Sequence, residues 1–214
     1  MTNLGCALGL CASQIYPSLY LTLGTTIAND LDAADMPLWL LTAGLIVQGA
    51  LAPFVGPVAD LIGRKMIFLI GFGFAVIGCI LCAAVPNAPG FMVGNIFLGF
   101  GAITQELMSI AIVAESISTA KRPLFSALTL CLIFPWSLGT MYVNWITATS
   151  WRHIGLVLAL WNVLSAVVVL TRYKPPPRVN GLGLTTREKI KRTGFVGGAI
   201  ITLALCLILV ALNS

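Results

Sequence analysis

The chain has 214 residues, 58% of them hydrophobic and only 9% charged, with a formal net charge of +5. A soluble domain carries about 25% charged residues, so an ordinary water-soluble fold is excluded and the lipid bilayer is the expected solvent. The positive charge does not indicate a nucleic-acid partner either, because the bases flank apolar runs and follow membrane topology.

Seven apolar runs are predicted to be spanning helices, over residues 4–28, 37–59, 66–85, 91–114, 124–147, 153–171 and 195–212. Each is near the ~20 residues that cross a bilayer. In lipid the backbone must satisfy its own hydrogen bonds, which makes long apolar runs helical. The alternation of a membrane β-barrel is missing. The fold class is therefore all-α and polytopic.

In the first run, Gln14, Tyr16 and Tyr20 are candidate cavity groups, as is Gln48 in the second. Ordinary hydrogen bonding between helices explains each equally well. The link between these runs, "NDLDAADM", is acidic. The turn after the second run, "GPVADLIGRK", places Asp60, Arg64 and Lys65 among Gly56, Pro57 and Gly63. The glycines permit close helix approach and a tight turn. Flanking bases are accounted for by topology, but Asp60 is expected at a half-buried position that topology does not explain.

The third run contains Cys79-x-x-Cys82, which has redox or metal spacing. No second pair and no nearby histidine completes a site, so the cysteines, like the other four, are expected to pack as small hydrophobes. No metal or other cofactor is expected. The glycine pairs at 71/73, 99/101 and 181/183 do not complete a nucleotide-binding fingerprint.

The fourth run holds Glu106, an acid deep in an apolar segment. Such a residue is costly in lipid and marks a functional site by default. Asn95, Gly99, Ala102, Glu106 and Ser109 share one stripe at helical periodicity. Small and polar residues suit a helix seam or an aqueous cavity. Glu106 is a candidate carrier of a proton or a cationic substrate, the alternative being a protonated acid bonded to a neighbouring helix. Glu115 closes this run, and Lys121 and Arg122 open the next turn. The fifth run contains "FPWSLG", where Pro135 and Gly139 predict a bent helix.

After the sixth run, "KPPPR" cannot continue a helix. "TTREKIKR" can restart one, with Thr185 and Glu188 at capping-box spacing, and its bases suit an anionic lipid surface. Residues 1–173 thus read as a six-helix unit, 174–193 as a basic linker and 194–214 as a seventh helix. Eleven of the twelve bases fall on one side, with Arg152 alone on the other. The positive-inside rule makes that side, and the N-terminus, cytoplasmic. Trp39, Trp145 and Trp151 fall near the outer span ends, as an aromatic belt would.

Gly56-x-x-x-Asp60-x-x-Gly63-Arg64-Lys65 resembles the cytoplasmic signature of the major facilitator superfamily, which lies between that family's second and third helices. Leu61 departs from it, where a base is common. The resemblance covers residues 1 to about 175, since six helices precede a basic loop in the family too. Glu115, six residues and then Arg122 is similar to an acid–Arg pattern of sugar-porter-like members. The resemblance implies a cytoplasmic charge network of Asp60, Arg64, Glu115 and Arg122 that latches one state of a transporter, working against an opposing half. The family often has an arginine where this chain has Asn95, ahead of the matching Gly99–Ala102 element. That arginine serves proton coupling in drug–proton antiporters, and its absence puts this route in doubt. Only Pro135 and Gly139 survive from the antiporter element of the fifth helix. "WR" and "YKPPPR" around the sixth run look most like fungal toxin, drug and siderophore transporters, including trichothecene efflux pumps.

The expected protein is the N-terminal half of a major facilitator carrier, truncated or split, with two inverted three-helix repeats and alternating access. Its expected partners are membrane lipid, a small-molecule substrate, protons and a second transporter half. Its expected place is the plasma membrane, as a multi-pass protein. No enzyme constellation is visible. The alternative is a non-transporting remnant, or a regulatory partner of an intact transporter.

Overall fold

The computed structural model describes residues 2–33, 37–116 and 150–173, together with Leu124, Ala127, Leu128, Cys131, Val143, Trp145, Leu203, Ala204 and Leu207. The 174–193 linker and nearly all of the fifth and seventh runs lie outside the described residues. So do Arg122, Pro135 and Gly139.

Six helices follow in order: α1 (Thr2–Thr22), α2 (Gly24–Asp30), α3 (Pro37–Ile62), α4 (Arg64–Ala84), α5 (Ala88–Ser116) and α6 (His153–Arg172). Among the described residues there is no strand. Four helices are long and apolar enough to cross a membrane, or five if α1 and α2 count as one bent span. The chain is an integral, multi-pass membrane protein.

The first run was expected to be one helix, and here the structure differs. It breaks at Leu23, and α2 leaves α1 at 66°. The Leu23 amide is shared between the carbonyls of Leu19 and Tyr20, which tightens the last turn of α1. Thr25 and Thr26 then lower helix propensity where α2 restarts. Ile27, Ala28 and Leu31 of this segment are buried, so packing fixes the bend.

The α3–α4 turn has a simpler cause. Gly63 has φ 115°, a conformation that glycine alone adopts without strain. The turn therefore needs one residue, and α4 starts at once on Arg64. Before α5, the Asn87 side-chain carbonyl accepts the Gly90 amide at 3.1 Å, satisfying one of the free donors of that helix start.

α5 is the central helix and packs against α1, α3 and α4. It crosses α3 with Gly99 set against the Gly44 backbone, so a side chain on Gly99 would strike main chain. Two apolar cores result. One gathers Tyr20, Ile27, Leu40, Phe91, Trp151 and Leu158. The other gathers Val55, Phe68, Phe72, Met108, Ile112 and Val169. Along α6, Asn162 lies between the residues of the two cores. Cys6, Cys11, Cys79 and Cys82 are buried, and the Cys82 thiol donates to the Phe91 carbonyl at 3.7 Å.

Trp151 corrects the aromatic-belt reading. It is 7% exposed and packs edge-on against Phe91, with ring centroids 5.9 Å apart. Its indole N–H donates to the carboxylate of Asp30 at the end of α2, which holds it there.

Candidate functional site

Charge concentrates at the two ends of the bundle. At one end, the single-residue turn at Gly63 places Arg64 on the first turn of α4 and Asp60 on the last turn of α3. Arg64 Nη2 lies 3.3 Å from Asp60 Oδ1, and Nη1 lies 2.8 Å from Glu115 Oε1 at the end of α5. Nη1 also reaches the Ala111 carbonyl at 3.4 Å. One guanidinium thus ties three helices.

Its neighbour Lys65 reaches a fourth. Lys65 Nζ donates to the carbonyls of Leu170 and Tyr173 at 3.0 and 2.8 Å. These are at the C-terminal end of α6, where free carbonyls attract a cation. Tyr173 is buried beside this turn. Burial pushes its hydroxyl pKa above the ordinary tyrosine value, with Cys6 and Glu115 adding to the rise and Arg64 opposing it.

Two expectations here are corrected. The Asp60 side chain is 68% exposed, not half-buried, because the last turn of α3 directs it outward. Gly56 makes no close helix approach, since nothing lies within 4 Å of the space its side chain would take. It instead lines a groove of about 290 Å³ between α3 and α5, with Pro57, Asp60, Arg64 and Met108.

At the opposite end, Arg152 precedes α6. Its Nη1 donates to the Ala83 and Val85 carbonyls at 3.3 and 3.1 Å, where α4 ends. Its Nη2 lies 3.7 Å from Asp30 Oδ2. The same carboxylate oxygen accepts the Trp151 indole N–H at 2.9 Å. The guanidinium stacks over the Trp151 ring at 5.0 Å. This cluster was not expected from sequence, where Arg152 figured as the exception to a charge rule and as part of the "WR" element, but not as a partner of Asp30.

Between the two ends lies a set of uncharged polar groups and one acid. Gln48 Nε2 donates to the Tyr16 hydroxyl, joining α3 to α1 at 2.5 Å. Asn95 Nδ2 donates to the Leu40 carbonyl at 2.8 Å, joining α5 to α3. Gly44 makes room for both, since a side chain there would lie 2.9 Å from the Tyr16 hydroxyl and 3.0 Å from Asn95 Oδ1. Gln105 Nε2 donates to Asn162 Oδ1 at 2.8 Å, joining α5 to α6. Asn162 donates in turn to the Leu158 carbonyl of its own helix.

The stripe on α5 resolves into two parts. Asn95, Gly99, Ala102 and Ser109 are buried, as a helix seam requires. Glu106 is half-buried, pairs with no described residue, and lies within electrostatic reach of Tyr16. Gln14 is half-buried and likewise has no side-chain hydrogen bond among the described residues. The Gln105–Asn162 pair escaped the sequence reading because Gln105 is overshadowed by the acid beside it. Asn162, the lone amide of the sixth run, was the available signal. Among the described residues no group of His, Cys, Asp and Glu is placed to hold a metal ion.

A family model described as the Major Facilitator Superfamily matches residues 5–214. The chain is 28% identical over 199 residues to the "Efflux pump apf11" of Gibberella fujikuroi, covering 90% of this chain and 35% of that protein. It is 27% identical over 168 residues to the "MFS thioclapurine efflux transporter tcpA" of Claviceps purpurea, covering 76% of this chain and 31% of that one. Its fold is similar to that of the proton:xylose symporter XylE, with a TM-score of 0.72 at 16% identity, over 95% of this chain and 51% of the symporter. The chain spans about a third of the length of these fungal relatives.

Proposed function

The chain belongs to the major facilitator superfamily, and we propose that it forms one half of an efflux carrier for small amphipathic molecules of the drug, toxin or siderophore class. The observation that carries this reading is the Arg64 cluster. One base bridges Asp60 and Glu115 across the ends of three helices, at surface exposures where the pairs are weak and can be remade. Weak, remakeable contacts at a helix turn suit a latch between two states better than a stabilising clamp. The efflux names of the fungal relatives support export as the direction of transport.

In this reading the Arg64 end faces the cytoplasm, following the excess of bases on that side. The plasma membrane is the proposed location. Tyr16, Gln48 and Glu106, with Gln14, form one wall of the substrate path. A second half supplies the other wall, and rocking of the halves alternates access. Glu106 is the group that binds a proton or a cationic substrate.

The test is rhodamine 6G efflux from proteoliposomes holding this chain, with and without the C-terminal half of the apf11 pump. Flux in either arm supports the carrier reading. Absence of flux in both arms overturns it in favour of a non-transporting partner protein.

A further inference from the structure

We propose that Asp30, Trp151 and Arg152 form a second latch at the membrane face opposite Arg64 and Glu115, that both latches are closed in this structure, and that loosening either one opens its own face at the expense of the other. This rests on the carrier reading above and extends it to a second face.

The argument starts from the order of the helices. In an inverted repeat of three helices, a two-fold axis in the membrane plane carries the first span onto the fourth and the third onto the sixth. The end of the first span then corresponds to the end of the fourth, and the start of the third to the start of the sixth. Glu115 ends the fourth span and Arg64 starts the third. Asp30 ends the bent first span and Arg152 stands at the start of the sixth. The two acid–base pairs occupy equivalent places, one at each face. Their exposures match as well: 27% and 43% for Arg64 and Glu115, 32% and 51% for Arg152 and Asp30.

The backbone contacts obey the same relation. Lys65 at the start of α4 holds the terminal carbonyls of α6, and Arg152 at the start of α6 holds those of α4. Chance placement of charges would not give both an ion pair and a carbonyl cap at each equivalent position.

The two faces differ in one respect. Glu115 sits on the long α5, whereas Asp30 sits on the seven-residue α2, inclined at 66° to α1. Because Ile27 and Ala28 of α2 are buried in the same core as Trp151, the release of Asp30 from Arg152 is carried by that core and not by α2 alone. Trp151 adds a neutral donor to the same oxygen, which guides the carboxylate back into register.

Access is read by two cysteine reporters, Ala33→Cys near Asp30 and Gly56→Cys in the groove beside Arg64. Each is labelled by a membrane-impermeant maleimide applied from its own face, in vesicles holding this chain and the second half. Asp30→Asn is expected to raise labelling at position 33 about threefold, the scale of a weak exposed ion pair, and to lower it at position 56. Arg64→Gln is expected to do the reverse. The charge exchange Asp30→Arg with Arg152→Asp should return both reporters toward wild type, which also guards against a misfolded single variant. A rise at position 33 with no change at 56 would mean local fraying and overturn the proposal. So would an unchanged reporter, or a charge exchange that behaves like Asp30→Asn. Wild-type rhodamine 6G flux is measured separately, so failure of the carrier reading is seen apart from failure of the latch.

Discussion

Lys65 and Arg152 each cap the other's helix. Lys65, at the start of α4, donates to the last carbonyls of α6, and Arg152, at the start of α6, donates to the last carbonyls of α4. The two helices run antiparallel, so one base at each face closes the pair at both ends. The last carbonyls of a helix have no partner within it, and a long basic side chain from the neighbouring helix start reaches them at each end of the bundle.

Lys65→Met keeps the apolar stem and removes the cap. It is expected to cost about 1–2 kcal/mol, as loss of a charged donor does. Amide hydrogen exchange should speed up over the last turn of α6 and stay unchanged around Arg152. Lys65→Arg should restore most of the protection.

Arg64→Ala and Glu115→Gln should each change stability by under about 1 kcal/mol, because both partners are partly exposed. A double-mutant cycle by thermal unfolding in detergent should return a coupling in that range. Transport by the reconstituted carrier should fall far more than stability does. Equal loss in both would argue for a structural role alone.

At the α3–α5 crossing, Gly99→Ala places a methyl group against the Gly44 main chain. Backbone cannot move aside as a side chain can, so the cost should reach or exceed the ~1–3 kcal/mol of an overpacked core. Gly49→Ala, on the same helix as Gly44 but with open space around it, is the control and should be nearly neutral. Yield of monodisperse protein after detergent extraction separates the two.

Gln105→Leu leaves Asn162 Oδ1 without its interhelical donor, and Asn162→Leu strands Gln105 in turn. Each single change should destabilise. The double change should cost less than the sum, with a coupling of about 0.6–1.7 kcal/mol, the range of hydrogen bonds between helices in membranes. Additive losses would show that the two amides find other partners.

Much of this arrangement was legible because single residues forced it. A chain this apolar must be helical in lipid, and the glycine at position 63 fixes the turn that brings Arg64 beside Asp60. Glu115 could be placed at the same face from its position at the end of an apolar run. The break at Leu23 was not legible, because Gly24, Thr25 and Thr26 alone do not end an apolar run that resumes at Ile27 and Ala28. Tertiary packing of Ile27 and Leu31 decides it. Trp151 was misread for a related reason: sequence places a tryptophan near a span end, but only the fold shows a carboxylate waiting for its indole N–H. Asp60 was read as half-buried because its neighbours are apolar, while its exposure depends on which way the last turn of α3 points.

Glu106→Gln tests the remaining acid. The substitution keeps size and hydrogen-bonding capacity while removing the charge. If Glu106 carries a proton, the pH dependence of rhodamine 6G flux should flatten in the variant. If it binds the cation directly, the KM for rhodamine 6G should rise about tenfold or more, on the order of 1.4 kcal/mol of lost binding, while the pH profile keeps its shape. A variant identical to wild type in both measurements would remove Glu106 from the path.

The bend at Leu23 also bears on the thickness of the membrane this protein fits. α1 has 21 residues, a rise of about 31 Å, which alone matches a hydrocarbon core of about 30 Å. A straight continuation through α2 would overshoot by about 10 Å and force the whole helix to tilt. α2 instead turns 66° away from the α1 axis, so the bent pair rises less than a straight helix of the same length. Ile27, Ala28 and Leu31 stay packed in the core through the bend, so the chain gains buried apolar surface there without gaining height.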